Sequence, residues 1–216
     1  MSVATAEPRA PFGVYVHVPF CAARCDYCAF ATWTDKAHLV DDYLRAVSLD
    51  IERTIGERTA ATVFIGGGTP SLVPAEALAD VLGSIPTVDG AEITVECNPD
   101  DVDERLLTAY VDAGVNRISI GVQSMVPHVL TALGRTHDPV NVRTAVAAAR
   151  AVGLASFNLD VIYGAVGERL DDWQRTVEAV LELDPPHVSA YGLTVEPGTP
   201  LAADPARHPD DDVQAD

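Results

Sequence analysis

The chain has 216 residues, 48% of them apolar, and its 14 basic and 32 acidic side chains leave a net charge of −18. That length supports one sizeable core, and the acid excess argues against a nucleic-acid or anionic-membrane surface, because phosphate binding needs a basic footprint. No apolar run approaches the roughly 18 residues that a membrane span requires, so no integral membrane segment is expected.

In chain order, residues 1–12 lack the charged start and apolar middle of a secretory signal. They are expected to be a disordered lead-in, with the cytoplasm as the default location. "GVYVHV" (13–18) reads as a buried strand that breaks at Pro19 and delivers Cys21, Cys25 and Cys28 inside one short loop. Thr34 and Asp35 then offer caps to a helix in which Leu39, Tyr43, Val47, Ile51 and Ile55 recur every fourth residue, a face that must be buried. Further strand-like runs are "TVFIGG" (62–67), "EITVE" (92–96), "RISIGV" (117–122), "SFNLDVI" (156–162) and "HVSAYGL" (187–193). Asp138, Pro139 and Gly153 bracket one helix with an N-cap, a first-turn proline and a terminal glycine. Another is expected from 171 to 183, with Trp173, Val177, Val180 and Leu181 apolar and Pro185 stopping it. Residues 202–216 are acidic, with nothing to bury, and are expected to be disordered.

Apolar strands alternating with helices predict an α/β fold of parallel βα units. With six such runs, a partial (β/α)6 barrel over residues 13–201 is favoured over a closed eight-stranded barrel or a doubly wound sheet. Polar or glycine-rich residues gather at the C-terminal ends of the strands, where α/β folds build sites: the cysteines, "GGGTPS", Glu96 to Asn98, Gln123 to Ser124, and Asp160. Three crowded cysteines and a distant Cys97 suit a metal site better than a disulfide framework. A zinc ion would need a fourth ligand, such as Cys97 or His17. Alternatively, three thiolates can hold three irons of a 4Fe-4S cluster and leave the fourth open.

"CAARCDYC" resembles the CxxxCxxC signature of the radical S-adenosylmethionine (SAM) superfamily. The resemblance implies a radical SAM barrel with a 4Fe-4S cluster on Cys21, Cys25 and Cys28. The amino and carboxylate groups of SAM chelate the open iron, and one electron cleaves the sulfonium to a 5′-deoxyadenosyl radical. The flanking "YVHVPFC", "FIGGGTPS", "ECNPD", "RISIGVQS", "LGRTH", "LDVIYG" and "YGLTVEPGTPL" resemble, in order and spacing, the oxygen-independent coproporphyrinogen III oxidase family. This implies that Gly67 and Gly68, with Gly66, let backbone approach the methionyl ammonium, that Thr69 adds a hydroxyl, and that Tyr15 lies near the cofactor. Glu96, Gln123, Arg135 and Asp160 match the family's polar cofactor contacts, a carboxylate suiting ribose hydroxyls or the ammonium and an arginine the methionyl carboxylate. The competing readings are strand packing for Tyr15 and structural polar groups for the other four. Ile162 packs either on adenine or in the core. His17 is expected near the cluster, the other histidines at the surface, and Arg24 and Cys97 take no assigned role.

Phe30 stands where the oxidases carry a further cysteine, and their longer segment before the cluster is missing. Both departures point to the haem-chaperone (HemW-type) branch, whose members resemble the oxidase but bind and deliver haem. Ala165 and Val166 replace the family's usual Leu-Pro. The family continues past the sixth strand, so the chain reads as C-terminally truncated, with that strand expected to lack cover. The function implied is haem binding and transfer, with haem or a porphyrin as small-molecule partner and a haem-acceptor protein. The alternatives are oxidation of coproporphyrinogen III to protoporphyrinogen IX and a non-catalytic cluster- or zinc-binding fragment.

Overall fold

The computed structural model describes residues 11–215. Most of the expected lead-in lies outside them; of its last two residues, Phe12 packs on the core with the Arg58 guanidinium 4.6 Å above its ring. The chain forms β1 (Gly13–Val18), α1 (Val40–Ile55), β2 (Ala60–Gly67), α2 (Ala75–Gly83), β3 (Thr87–Cys97), α3 (Glu104–Asp112), β4 (Arg117–Gln123) and α4 (Pro127–Ala132). It continues through α5 (Pro139–Ala151), β5 (Ser156–Tyr163), α6 (Leu170–Glu182), β6 (His187–Gly192) and α7 (Asp211–Ala215). The six strands make one sheet in sequential order, every neighbouring pair parallel. Sequential parallel order means that each crossover steps one strand onward, the winding of a (β/α) barrel, and the sheet is open between β1 and β6.

Alternation along the strands divides the sheet into two chemically different faces. Val16, Val18, Val63, Ile65, Val95, Ile118, Ile120, Leu159 and Val161 are buried against the helices in one apolar core. The residues between them, among them Tyr15, His17, Glu96, Ser119, Asn158, Asp160 and Ser189, belong to the opposite, inner face. Helices α1, α2, α3 and α5 touch one another in that order along the outside.

Local chemistry explains where the helices agree with the sequence and where they do not. Asp138 caps α5 as expected, its carboxylate accepting from the Val140 N–H at 2.8 Å. Thr34 and Asp35 do not cap α1, which follows a 3-10 turn at residues 37–39 and has no side-chain cap. Leu39 lies in that turn, exposed, and Leu44 joins Ile51 and Ile55 on the buried stripe. In α6 the buried stripe is Asp172, Thr176 and Val180, while Leu181 is exposed. Asp172 is held by the Arg169 N–H at 3.2 Å and by His128 at 3.3 Å, and Thr176 accepts from the Met125 N–H at 3.2 Å. These partners let polar groups occupy core positions. Beyond Pro127 at its first turn, no local pattern announces the short α4.

Residues 202–215, part of the segment expected to be disordered, fold back on the C-terminal end of the sheet. Arg207 donates to Asp26 at 2.6 Å and to the Ala132 carbonyl at 2.7 Å, and Gln214 donates to the Leu193 carbonyl at 3.1 Å. Asp204 and Asp210 spend their carboxylates capping local turns, so the acidic composition is used locally. The β6 edge has no strand beside it among the described residues, and Tyr191 on it is exposed.

Candidate cluster and cofactor site

After β1 the chain turns at Pro19 and closes a loop by pairing Phe20 with Trp33, the Trp33 N–H donating to the Pro19 carbonyl at 2.8 Å. Cys21, Cys25 and Cys28 lie on this loop, half-buried and unpaired, whereas Cys97 is buried. Two donors face the sulfurs: the Thr69 hydroxyl lies 3.6 Å from Cys21 Sγ and Arg135 Nη1 lies 3.5 Å from Cys25 Sγ. Burial pushes the Cys28 thiol up, with the neighbouring Cys25 and Cys21 adding to it. Among the described residues no three His, Cys, Asp or Glu side chains converge tightly enough to enclose a single metal ion. Three thiols on one loop match the ligand count of a 4Fe-4S cluster with one open iron, whereas tetrahedral zinc takes a fourth protein ligand.

The glycine run lies directly against the loop. The Gly68 N–H donates to the Val18 carbonyl and the Thr69 N–H to the Phe20 carbonyl, each at 2.7 Å. A Cβ on Gly68 would come within 3.0 Å of Cys21 Sγ and closer still to the Phe20 and Val18 carbonyls. Gly67 has φ +111, and a Cβ there would run into the His17 ring. The cradle thus holds only if both positions lack a side chain. Gly67 also donates its N–H to Glu96 Oε2 at 3.0 Å. Burial holds the Glu96 carboxyl above its usual range, opposed by that N–H and reinforced by Asp160.

His17 bridges the rim: its Nδ1 lies 3.1 Å from the Tyr15 hydroxyl and its Nε2 2.8 Å from the Ala31 carbonyl. This assigns the proton to Nε2 and makes Tyr15 the donor. Tyr15 is 57% exposed, stacks on Phe64, and is pushed up first by burial and then by Glu96. At the end of β4, Gln123 has φ +61, a conformation uncommon outside glycine and one that gathers at functional sites. Asp160 is oriented by two donors, the Ser119 hydroxyl at 2.5 Å and Asn158 Nδ2 at 2.8 Å. Asn158 is in turn bonded by Ser189 at 3.2 Å, a network across three strands that the sequence did not reveal. Ile162 is buried with Val126, Val129, Leu133, Ala165 and Leu193, so in this structure it packs in a small apolar cluster.

The sequence expectation misplaced His137. It is buried, and burial together with the Arg135 charge pushes its pKa down to about 4. The unfolded imidazole takes up its proton near 6.5, the folded one only near 4. Between those values the unfolded state binds more protons, so stability falls as pH falls through that window. In cluster-free protein, His137→Phe should remove at most about 3 kcal/mol of this acid-side loss, read from urea midpoints across the window. The same pH dependence in both forms would contradict a buried neutral imidazole.

A family model for the radical SAM superfamily matches residues 15–180. The chain belongs to this superfamily. Radical SAM proteins in general use a 4Fe-4S cluster and SAM, and the half-buried thiols, sulfur-facing donors and glycine cradle fit such a cluster. The chain is 42% identical over 223 residues to the heme chaperone HemW of Mycobacterium tuberculosis, covering 96% of this chain and 57% of that one. To the heme chaperone HemW of Haemophilus influenzae it is 39% identical over 215 residues, covering 94% and 56%. The solved structure of the Escherichia coli coproporphyrinogen III oxidase (HemN), a radical SAM enzyme, superimposes with TM-score 0.85 at 26% identity, covering 95% of this chain and 50% of that one. The chain spans about half the length of the curated relatives it matches.

Proposed function

We propose that this chain is the radical SAM portion of a haem chaperone, carrying a 4Fe-4S cluster on Cys21, Cys25 and Cys28 and SAM on the inner rim of the sheet. The observation that carries the core of this reading is the close seating of the Gly66 to Thr69 run on the cysteine loop. When bound, the reduced cluster supplies one electron to the sulfonium of SAM. The chain's own residues hold and orient: Gly67 and Gly68 leave room for the methionyl group, Glu96 accepts from an ammonium or ribose hydroxyl, and Asp160 from ribose. Gln123 adds an amide beside them. The Arg135 guanidinium sits 3.5 Å from Cys25 Sγ and would pair with the methionyl carboxylate of SAM. Tyr15 and His17 close the β1 side. Ile162 supplies apolar surface next to that rim.

Haem as cargo and a haem-acceptor protein as partner rest on the names of the relatives that share about 40% of the residues. A cytoplasmic setting fits a cluster on half-buried thiols that form no disulfide, and no described helix is long and apolar enough to cross a membrane. Titration of the anaerobic protein with haemin tests the cargo: a saturable shift of the Soret band is expected. The structural match to the oxidase favours a second reading, conversion of coproporphyrinogen III to protoporphyrinogen IX. Appearance of that product by mass spectrometry, without haem binding, would replace the first reading with the second.

A further inference from the structure

We infer that His137 is a positioning residue for Arg135, aiming its guanidinium at the sulfur of Cys25. This rests on the reading that the three thiols hold a cluster. Arg135 reaches in three directions: Nε to His137 Nδ1 at 3.3 Å, Nη2 to the Gly121 carbonyl at 3.0 Å, and Nη1 to Cys25 Sγ at 3.5 Å. A guanidinium is a rigid planar fork, so fixing two of its nitrogens fixes where the third points. Gly121 leaves the space: a Cβ there would lie 3.0 Å from Gln123 Nε2 and 3.5 Å from Arg135 Nη2.

The choice of imidazole is informative. Because Nδ1 accepts from Arg135, the proton sits on Nε2. That nitrogen is buried and has no hydrogen-bond partner, the Val122 carbonyl near the ring falling short of one. An apolar side chain of similar size would avoid this cost. A carboxylate in its place would hold the arginine more strongly but would pair with its charge and draw it from the sulfur. A neutral imidazole accepts from Nε and leaves the positive charge facing Cys25. Among the described residues Arg135 makes no ion pair with a carboxylate; Asp100 is the acidic group whose field reaches both Arg135 and His137, and Asp138 acts on His137 as well. Tyr27, the other titratable group beside Arg135, is kept neutral by burial.

The test uses the full chain reconstituted with iron and sulfide. His137→Phe keeps volume and removes the acceptor, and His137→Asn places an amide oxygen where Nδ1 stood. The readouts are iron content, the cluster's reduction potential and the affinity for SAM. We expect His137→Phe to bind wild-type iron with a more negative potential and about tenfold weaker SAM binding, the size typical of a lost orienting partner. His137→Asn restores both toward wild type. In an Arg135→Lys background His137→Phe adds no further shift, because its effect runs through the arginine. Should His137→Phe not fold, His137→Gln, which carries its acceptor further from the backbone, takes its place in the same comparison. An unchanged potential and affinity with the cluster in place would overturn the inference while leaving the cluster reading intact. Absence of iron from the wild-type chain would overturn the cluster reading, and this inference with it.

Discussion

Alanine at Cys21, Cys25 or Cys28 is expected to remove the bound iron from anaerobically reconstituted protein, whereas Cys97→Ala should leave it almost unchanged. The three loop thiols are half-buried on one turn, and Cys21 and Cys25 each have a donor facing the sulfur. A cluster with one open iron has no spare protein ligand, so losing any one thiolate leaves it labile. Cys97 is on the other face of β3. It is buried among apolar side chains, its neighbour Glu96 points to the inner face, and burial raises its pKa so that it remains a thiol. Removing it opens a small cavity that should cost about 1 kcal/mol of stability, a deficit visible in urea but not in iron content. Equal iron loss from all four variants would overturn the ligand assignment.

Gly68→Ala should be strongly damaging. Its Cβ would meet the Phe20 carbonyl at 2.6 Å and the Val18 carbonyl at 2.8 Å, both backbone atoms that cannot rotate away. Those carbonyls accept from the Gly68 and Thr69 N–H groups, so relieving the clash pulls apart the two backbone bonds that join the glycine run to the end of β1 and the start of the cysteine loop. We expect a destabilisation of about 2–4 kcal/mol and loss of SAM binding, measured by denaturant unfolding and by equilibrium dialysis. Gly83→Ala is the matched control. Nothing lies within 4 Å of its Cβ, which sits in the last turn of α2. Alanine there should stabilise by about 0.5 kcal/mol through helix propensity and a less mobile unfolded chain. Wild-type SAM binding by Gly68→Ala would show that the close approach is not needed.

The strands were readable because Val and Ile alternate with smaller or polar residues and turns punctuate the runs; all six appear in the sheet. The same alternation placed Glu96 and Asp160 at strand ends. What the sequence hid depends on partners far along the chain. Asp172 and Thr176 look like solvent-facing residues of α6 until His128 and the Ser124 to Met125 turn come up against them. Asn158 reads as an interruption in β5, yet it joins Ser119, Asp160 and Ser189 into one network. His137 reads as polar and exposed because nothing local shows that Arg135 turns its own side chain inward beside it. The acidic tail hides its anchors in the same way, since Arg207 meets Asp26 across 181 positions of sequence.

On the proposed reading, the three loop thiols and the glycine rim together form a working cluster and SAM site. Electron paramagnetic resonance of the reduced, reconstituted chain tests it most directly, recorded with and without SAM. A 4Fe-4S signal that changes on adding SAM is expected, because SAM would bind the iron that the three thiols leave open. A folded chain that shows no such signal, or a signal indifferent to SAM, would contradict it.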